Sequence, residues 1–373
     1  MLLGTLLTAL LGHCAYAANK IWNNTGTDFN SPGSWIGGVP GIGDAAVFDV
    51  VRVTNPNLSA SLTIQQLNFS TAAASGYDLT SSNTSINLTL TNTGTGASSA
   101  IESAITSGTN TIDAPIVLGA ISGTQTFDQA AGGTLVVNGV VSSTSAIALN
   151  LTGGTITLTG SNTYSGGTTV NSGTVFVNNT SGSGTGTGSV SVNNSGTTLG
   201  GTGTISGAVT VASGANLSPG ATGAGSTGTL HTGALTLSSG SNFNVDVNNT
   251  TAGSFDQVSV TGTVIVTGSN IVVTPGVGLT VGDKVFVVLN DGVEAVVGQF
   301  AQGMTVTSGL DVFAINYMDN GDSGAAANDI SLTVIAIPEP STWLAATLAL
   351  GALASTQRRR LRGLLCKPVI RDE

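Results

Sequence analysis

Very little of this chain is charged, and the little there is lies unevenly. Only 8% of its 373 residues are Asp, Glu, Lys or Arg. Six of the nine basic residues (Arg358, Arg359, Arg360, Arg362, Lys367 and Arg371) fall in the last sixteen positions. Between Ala18 and Pro340 only Lys20, Arg52 and Lys284 are basic, against seventeen acidic residues, so this body carries fourteen excess negative charges. A surface of that sign repels phosphate, which excludes nucleic acid as a partner, and it offers no basic patch to anionic lipid. Aromatic residues make up 5%, too few for a core of large rings. The two cysteines, Cys14 and Cys366, lie outside the body, so no disulfide forms within it and no Cys/His metal site exists. The sequence points to no cofactor and no metal.

Catalytic patterns are equally scarce. His231 is the sole histidine of the body, so any Ser-His-Asp site has to use it; a place on a surface turn is the expectation. No nucleophile elbow, HExxH or P-loop occurs. Gly223-Ala224-Gly225-Ser226-Thr227-Gly228 matches GxGxxG, but no strand–helix unit surrounds it. Asp319-Asn320-Gly321-Asp322 lacks the spaced acids and terminal Glu of a calcium loop and reads as a tight turn. Paired carboxylates could still meet across a fold, for example Asp113 and Asp128, yet nothing in the sequence aligns them. No catalytic residue is assigned.

What the chain does have is glycine, 53 of them, with Ser, Thr and Asn and a recurring short apolar alternation. In 153–220 the alternation runs Ile156/Leu158, Val175/Val177, Val190/Val192 and Val209/Val211. Each is a strand of three to five residues with one apolar face and one of Thr, Ser or Asn. Disordered tracts lack such β-branched regularity. The strand centres recur roughly every 15–20 residues, about the path of one solenoid coil, and a coil that cannot bury its own apolar face has to stack on neighbours. On that spacing the body holds roughly sixteen coils and, at about 4.8 Å each, is about 75 Å long. Weaker alternations precede this stretch (Leu62/Ile64, Leu67/Phe69, Ile86/Leu88/Leu90, Ile116/Leu118, Leu135/Val137), and longer strands follow it (264–266, 271–273, 284–289). Asn-x-Ser/Thr sequons such as those at Asn57, Asn68, Asn83 and Asn87 are what chance supplies in this composition.

Asn162-Thr163-Tyr164-Ser165-Gly166-Gly167-Thr168-Thr169-Val170, followed by Ser172-Gly173-Thr174, resembles the autotransporter-associated β-strand repeat of bacterial secreted passengers. Gly200-Gly201-Thr202-Gly203-Thr204-Ile205 and Leu217-Ser218-Pro219-Gly220 fit the following coils of that family. The resemblance covers roughly a fifth of the chain and implies an all-β, right-handed parallel β-helix with capping ends. Trp35-Ile36-Gly37-Gly38-Val39-Pro40 with Asp44–Phe48 resembles the family's leading segment, expected to be an N-terminal cap over the open solenoid end. The alternative use of Trp22 and Trp35 is a stacking platform for a glycan. Ser254-Phe255-Asp256-Gln257-Val258, Val281-Gly282-Asp283-Lys284 and Gly298-Gln299-Phe300 look like the C-terminal passenger module, with a last strand at Asn328–Leu332. Pectate lyases and polygalacturonases also use parallel β-helices, so a carbohydrate-active enzyme stands as an alternative and a carbohydrate-binding module as another.

The ends carry sorting features. Residues 1–17 read as a secretory signal, with an apolar run Leu2–Leu11 and the cleavage site Ala15-Tyr16-Ala17, although no basic residue precedes the run. Leu11-Gly12-His13-Cys14 departs from a lipoprotein box at His13. Pro338-Glu339-Pro340, then the apolar Thr342–Ser355, then Arg358-Arg359-Arg360, resembles the PEP-CTERM sorting signal, whose processing enzyme is an exosortase, a membrane cysteine protease. The prolines hold an extended site, and the arginines fix the cytoplasmic side. The apolar run of about 15 residues, about 22 Å as helix, is a marginal anchor for a hydrocarbon core of about 30 Å. No translocating barrel follows Pro340, so export by a separate route is expected.

The organisation expected is therefore a signal peptide (1–17), an N-terminal cap (18–60), a repeat solenoid (61–229), a C-terminal β module (230–336), the sorting signal (337–362) and a tail (363–373). The expected function is that of an exported structural or adhesin-like protein of the cell surface or extracellular matrix. Its partners would be the exosortase-type protease and exopolysaccharide or other envelope components, with transient membrane anchoring by the C-terminal helix.

Overall fold

The computed structural model describes residues 18–337, apart from 74–75, 93–98, 120–122, 292 and 322–326, together with Leu350, Leu353, Gln357 and Arg358. Within it the chain winds as a parallel β-solenoid whose coils carry strands on up to three faces. The first face starts at Ala18–Trp22 and passes through Asp44–Phe48, Gln66–Phe69 and Ile101–Ser103. It continues through the leading halves of Thr124–Val137 and Ala148–Leu158, then Thr168–Val170, Val190–Val192, Val209–Val211, Leu235–Leu237 and Val264–Ile265. Each of these strands pairs in parallel with the next, giving ten steps in register.

Ten steps, not about sixteen coils, is the first correction to the sequence reading. At about 4.8 Å per step the ladder is about 48 Å long, not about 75 Å. The reason is that each coil turns a corner and places more than one strand. Ile156 and Val175 are register partners on the second face, whereas Val190 and Val209 are partners on the first. The coil itself is 19 residues from Leu149 to Thr168 but 34 from Asn68 to Glu102, longer and less regular than the strand spacing implies. The parallel ladder also crosses both expected internal boundaries, starting at Ala18 and continuing to the pairing of Val258 with Val288.

The alternation does what its period requires. On the first face Leu67, Ile101, Phe127, Leu151, Val170, Val192, Val211 and Leu237 are successive register partners, all pointing inward and all fully buried. Burying each such side chain contributes roughly 1.5–3 kcal/mol, so stability grows coil by coil with no need of large rings. Gly173 makes one corner tight: its φ is +75°, and a Cβ there would stand 1.3 Å from the Gly153 carbonyl oxygen of the coil below.

Aromatic residues gather at the two ends. Trp22, Phe29, Trp35 and Phe48 pack together at centroid distances of 4.8–6.4 Å at the first coil. At the other end the third face turns antiparallel: Lys284–Asn290 pairs with Asp329–Ala336, which pairs with Asp311–Asp319, which pairs with Thr305–Ser308. Phe300 packs between Phe243 of the solenoid and Tyr317 of this antiparallel sheet. A sheet that changes direction here covers the last coil and removes an open edge.

Candidate functional site

The outward positions form the largest repeated chemical feature. On the first face Thr126, Asn150, Thr169, Ser191, Thr210 and Thr236 are successive register partners, all at least partly exposed. On the second, Thr155, Thr174, Thr198, Asn216, Asn242 and Asn270 are in register. Their amides bond along the solenoid axis. Asn242 Nδ2 donates to Asn216 Oδ1 at 3.0 Å, and Asn270 Nδ2 to Asn242 Oδ1 at 3.1 Å. A second run links Asn150, Asn171 and Asn193 at 2.7 and 3.1 Å. Such ladders hold polar side chains in fixed rotamers at the strand spacing, so the surface is a stiff array of hydroxyls and amides.

The repeat motif has a buried role as well. Between Val141–Ser143 and Thr204–Ile205 the third face has no strand, and Asn162 bridges the gap. Its Oδ1 accepts from Val141 N–H at 2.7 Å, its Nδ2 donates to the Gly184 carbonyl, and its N–H donates to the Ser183 carbonyl at 2.7 Å. Tyr164, also fully buried, shares a 2.7 Å hydrogen bond with Thr168 Oγ1, and burial pushes its hydroxyl far above the ordinary phenol range.

The candidate residues are dispersed. Trp22 and Trp35 are 0% and 4% exposed and pack edge to face, 5.1 Å apart, with Trp35 Nε1 donating to the Phe29 carbonyl. That burial corrects the glycan-platform alternative, because neither indole has a face open to a sugar ring. Asp113 and Asp128 do not form a pair: Asp113 accepts from Asn138 and Asp128 from Thr152, each in a different ladder. His231 is exposed on Thr229–Thr232, between Thr204 and Ser259. Asp319 accepts from Lys284, Ser331 and the Asn320 N–H, while Asp322 lies outside the described residues. Burial works against the Asp319 charge, but these donors, Lys284 foremost, hold its carboxyl below the usual range. Among the described residues no group of three or more His, Cys, Asp or Glu could hold a metal.

The sorting residues Ala15, Ala17, Pro338, Glu339, Pro340, Arg359 and Arg360 lie outside the described residues. Arg358 is helical and exposed, as are Leu350 and Leu353. Among the described residues no helix is long and apolar enough to cross a membrane.

One carboxylate pair went unnoticed in the sequence. Asp246 is 6% exposed and Asp256 1%. Asp256 Oδ1 accepts from Gly228 N–H and its Oδ2 from Asp246 N–H, each at 3.0 Å, and Asp246 Oδ2 accepts from Gly225 N–H. Burial pushes the Asp256 carboxyl up to about 7, opposed by the two backbone donors and reinforced by the neighbouring Asp246 charge. The pair ties residues 220–228 across the outside of the second face, over Phe176. A polar groove of about 280 Å³ runs there, lined in part by Thr174, Ser218 and Asn244. These two are the only acidic residues between Asp128 and Asp283, which is the one signal the sequence offered.

No family model, curated protein or solved structure matches this chain.

Proposed function

We propose that this protein is an exported, adhesin-like structural component of the bacterial cell surface or extracellular matrix, sorted through its C-terminal signal by an exosortase-type membrane protease. The observation that supports the reading is the outward array of hydroxyls and amides, repeated over the coils in an aromatic-poor, acidic body. A single exposed hydrogen bond to a polysaccharide contributes only about 0.5–1.5 kcal/mol. Several in register on a stiff scaffold add, because each bond made raises the effective concentration for the next. Exopolysaccharide or other envelope components are therefore the partners the surface suits. In this scheme the apolar stretch 342–355 anchors the chain briefly in the inner membrane while Pro338-Glu339-Pro340 waits outside for cleavage.

The test is fractionation of the organism that makes the protein into cytoplasm, membrane and matrix. The body belongs in the matrix or outer envelope. Replacing Pro338, Glu339 and Pro340 with Ala should strand it in the membrane fraction. A wild-type protein found in the cytoplasm, or an unchanged distribution of the variant, would contradict the proposal.

A further inference from the structure

We propose that residues 220–228 form a pH-sensitive strap, held closed over Phe176 by the buried Asp246–Asp256 pair while that pair keeps a proton, and loosened when both carboxyls ionise. The strap is a glycine-rich segment, Gly-Ala-Thr-Gly-Ala-Gly-Ser-Thr-Gly, with little packing of its own. It is held by the Gly201–Gly220 bridge, by the bonds from Asn178 Nδ2 to the Ala221 carbonyl, from Thr227 Oγ1 to the Gly253 carbonyl and from the Gln257 N–H to the Gly228 carbonyl, and by the bonds of Gly225 and Gly228 to the two aspartates. Beneath it Phe176 points outward in a column where its partners are Thr157 and Gly200, and the ring is only 8% exposed. Gly223 lies against the ring closely enough that a Cβ would sit 3.3 Å from it. Opening the strap therefore uncovers an aromatic face beside Thr174, Ser218 and Asn244.

The charge around the pair makes it a switch and not a fixed tie. The segments packed against it, 216–228, 242–256 and 270–276, contain no Lys, Arg or His and no acid besides these two. On the neighbouring third-face strands, exposed His231 sits between Thr204 and Ser259, and Lys284 is engaged by Asp319. No cation thus offsets a second buried negative charge, and admitting water by opening the strap is the way to relieve it. The sign follows from linkage. A carboxyl whose pKa is raised from 3.8 toward about 7 in the closed form stabilises closure fully below about 4. That stabilisation is lost progressively as pH rises to about 7, with opening growing by at most about tenfold per pH unit.

Backbone amide exchange of the full chain, corrected for intrinsic rates, reads this directly at Gly225 and Gly228. Protection there should fall at least tenfold from pH 5 to pH 7, while Val192 and Val211 in the ladder stay constant. In Asp256→Asn the fall should vanish. Asp246→Asn, which keeps an acceptor for Gly225 but removes the neighbouring charge that raises the Asp256 pKa, should make the fall smaller and complete it at lower pH. Wild-type protection that is flat or rises with pH would overturn the proposal, as would the same fall in Asp256→Asn with the ladder amides intact. If Asp256→Asn fails to fold, the wild-type profile and Asp246→Asn decide it.

Discussion

Replacing Asn162 with Ala removes two side-chain hydrogen bonds at a site where water cannot replace them. Asn162 is 3% exposed, and both groups it serves, the Val141 N–H and the Gly184 carbonyl, belong to buried residues. Each buried polar group left unsatisfied costs about 1–3 kcal/mol, so the variant should lose roughly 2–6 kcal/mol in these coils. Asn162→Asp keeps an acceptor for Val141 but loses the donor to Gly184 and buries a charge, so it should be at least as damaging. Coils stack mainly through their nearest neighbours, so the loss should be concentrated in the coils bearing Val141, Asn162 and Gly184. The assay is amide exchange across the ladder: Val141, Thr163 and Gly184 should lose at least about thirtyfold in protection, the equivalent of about 2 kcal/mol. Leu237 and Val258, several coils away, should change little. A variant with protection within threefold of wild type at Val141 would refute the bridging role and the reading of the third face built on it.

Three further outcomes follow from particular contacts. Gly173→Ala puts a Cβ into the Gly153 carbonyl at a φ of +75° and should cost more than 3 kcal/mol by denaturant unfolding, whereas an Ala at exposed Gly196, with no neighbour within 4 Å, should bear only the cost of its positive φ, about 1 kcal/mol. Trp22→Ala should destabilise the first coils by about 3–5 kcal/mol and leave retention on polysaccharide resin per folded molecule unchanged; lost retention with intact stability would restore the glycan platform. Lys284→Ala removes the principal donor that lowers the Asp319 pKa. The pair's contribution is present above the unfolded carboxylate range and lost as pH falls through the lowered value, so the variant's deficit in thermal stability should be present at pH 7 and shrink toward pH 2; a deficit independent of pH would refute it.

Much of the fold was readable because a period of two is robust to context. Ile156, Leu158, Val175, Val177, Val190, Val192, Val209 and Val211 all point inward and are at most 1% exposed. The coil count was not readable, because a short strand carries no mark of its face. Val177 and Val190 look like neighbours in a series, yet they lie on different faces of one coil. Third-face contacts made by an amide and not by a strand, as at Asn162, leave no alternation to find. Trp22 and Trp35 were legible as a cap or as a platform, and only their mutual packing with Phe29 and Phe48 separates the two. The Asp246–Asp256 pair was hidden because the loop 248–254 separates the partners, and only the Val247–Phe255 bridge brings its two ends together. Alternation in Asn242–Val247 does place Asp246 outward, where exposure is the ordinary expectation; the strap that covers it is a tertiary event.

The reading of the protein as a sorted surface component is tested most directly by the intact mass of the molecule recovered from the organism that makes it. The account predicts an N-terminus at Ala18, where the first strand begins, and a C-terminus near Pro338–Ser341, just past the last strand at Ala336. A mass that extends to Glu373 would contradict it and would leave a membrane-held protein in place of a sorted one.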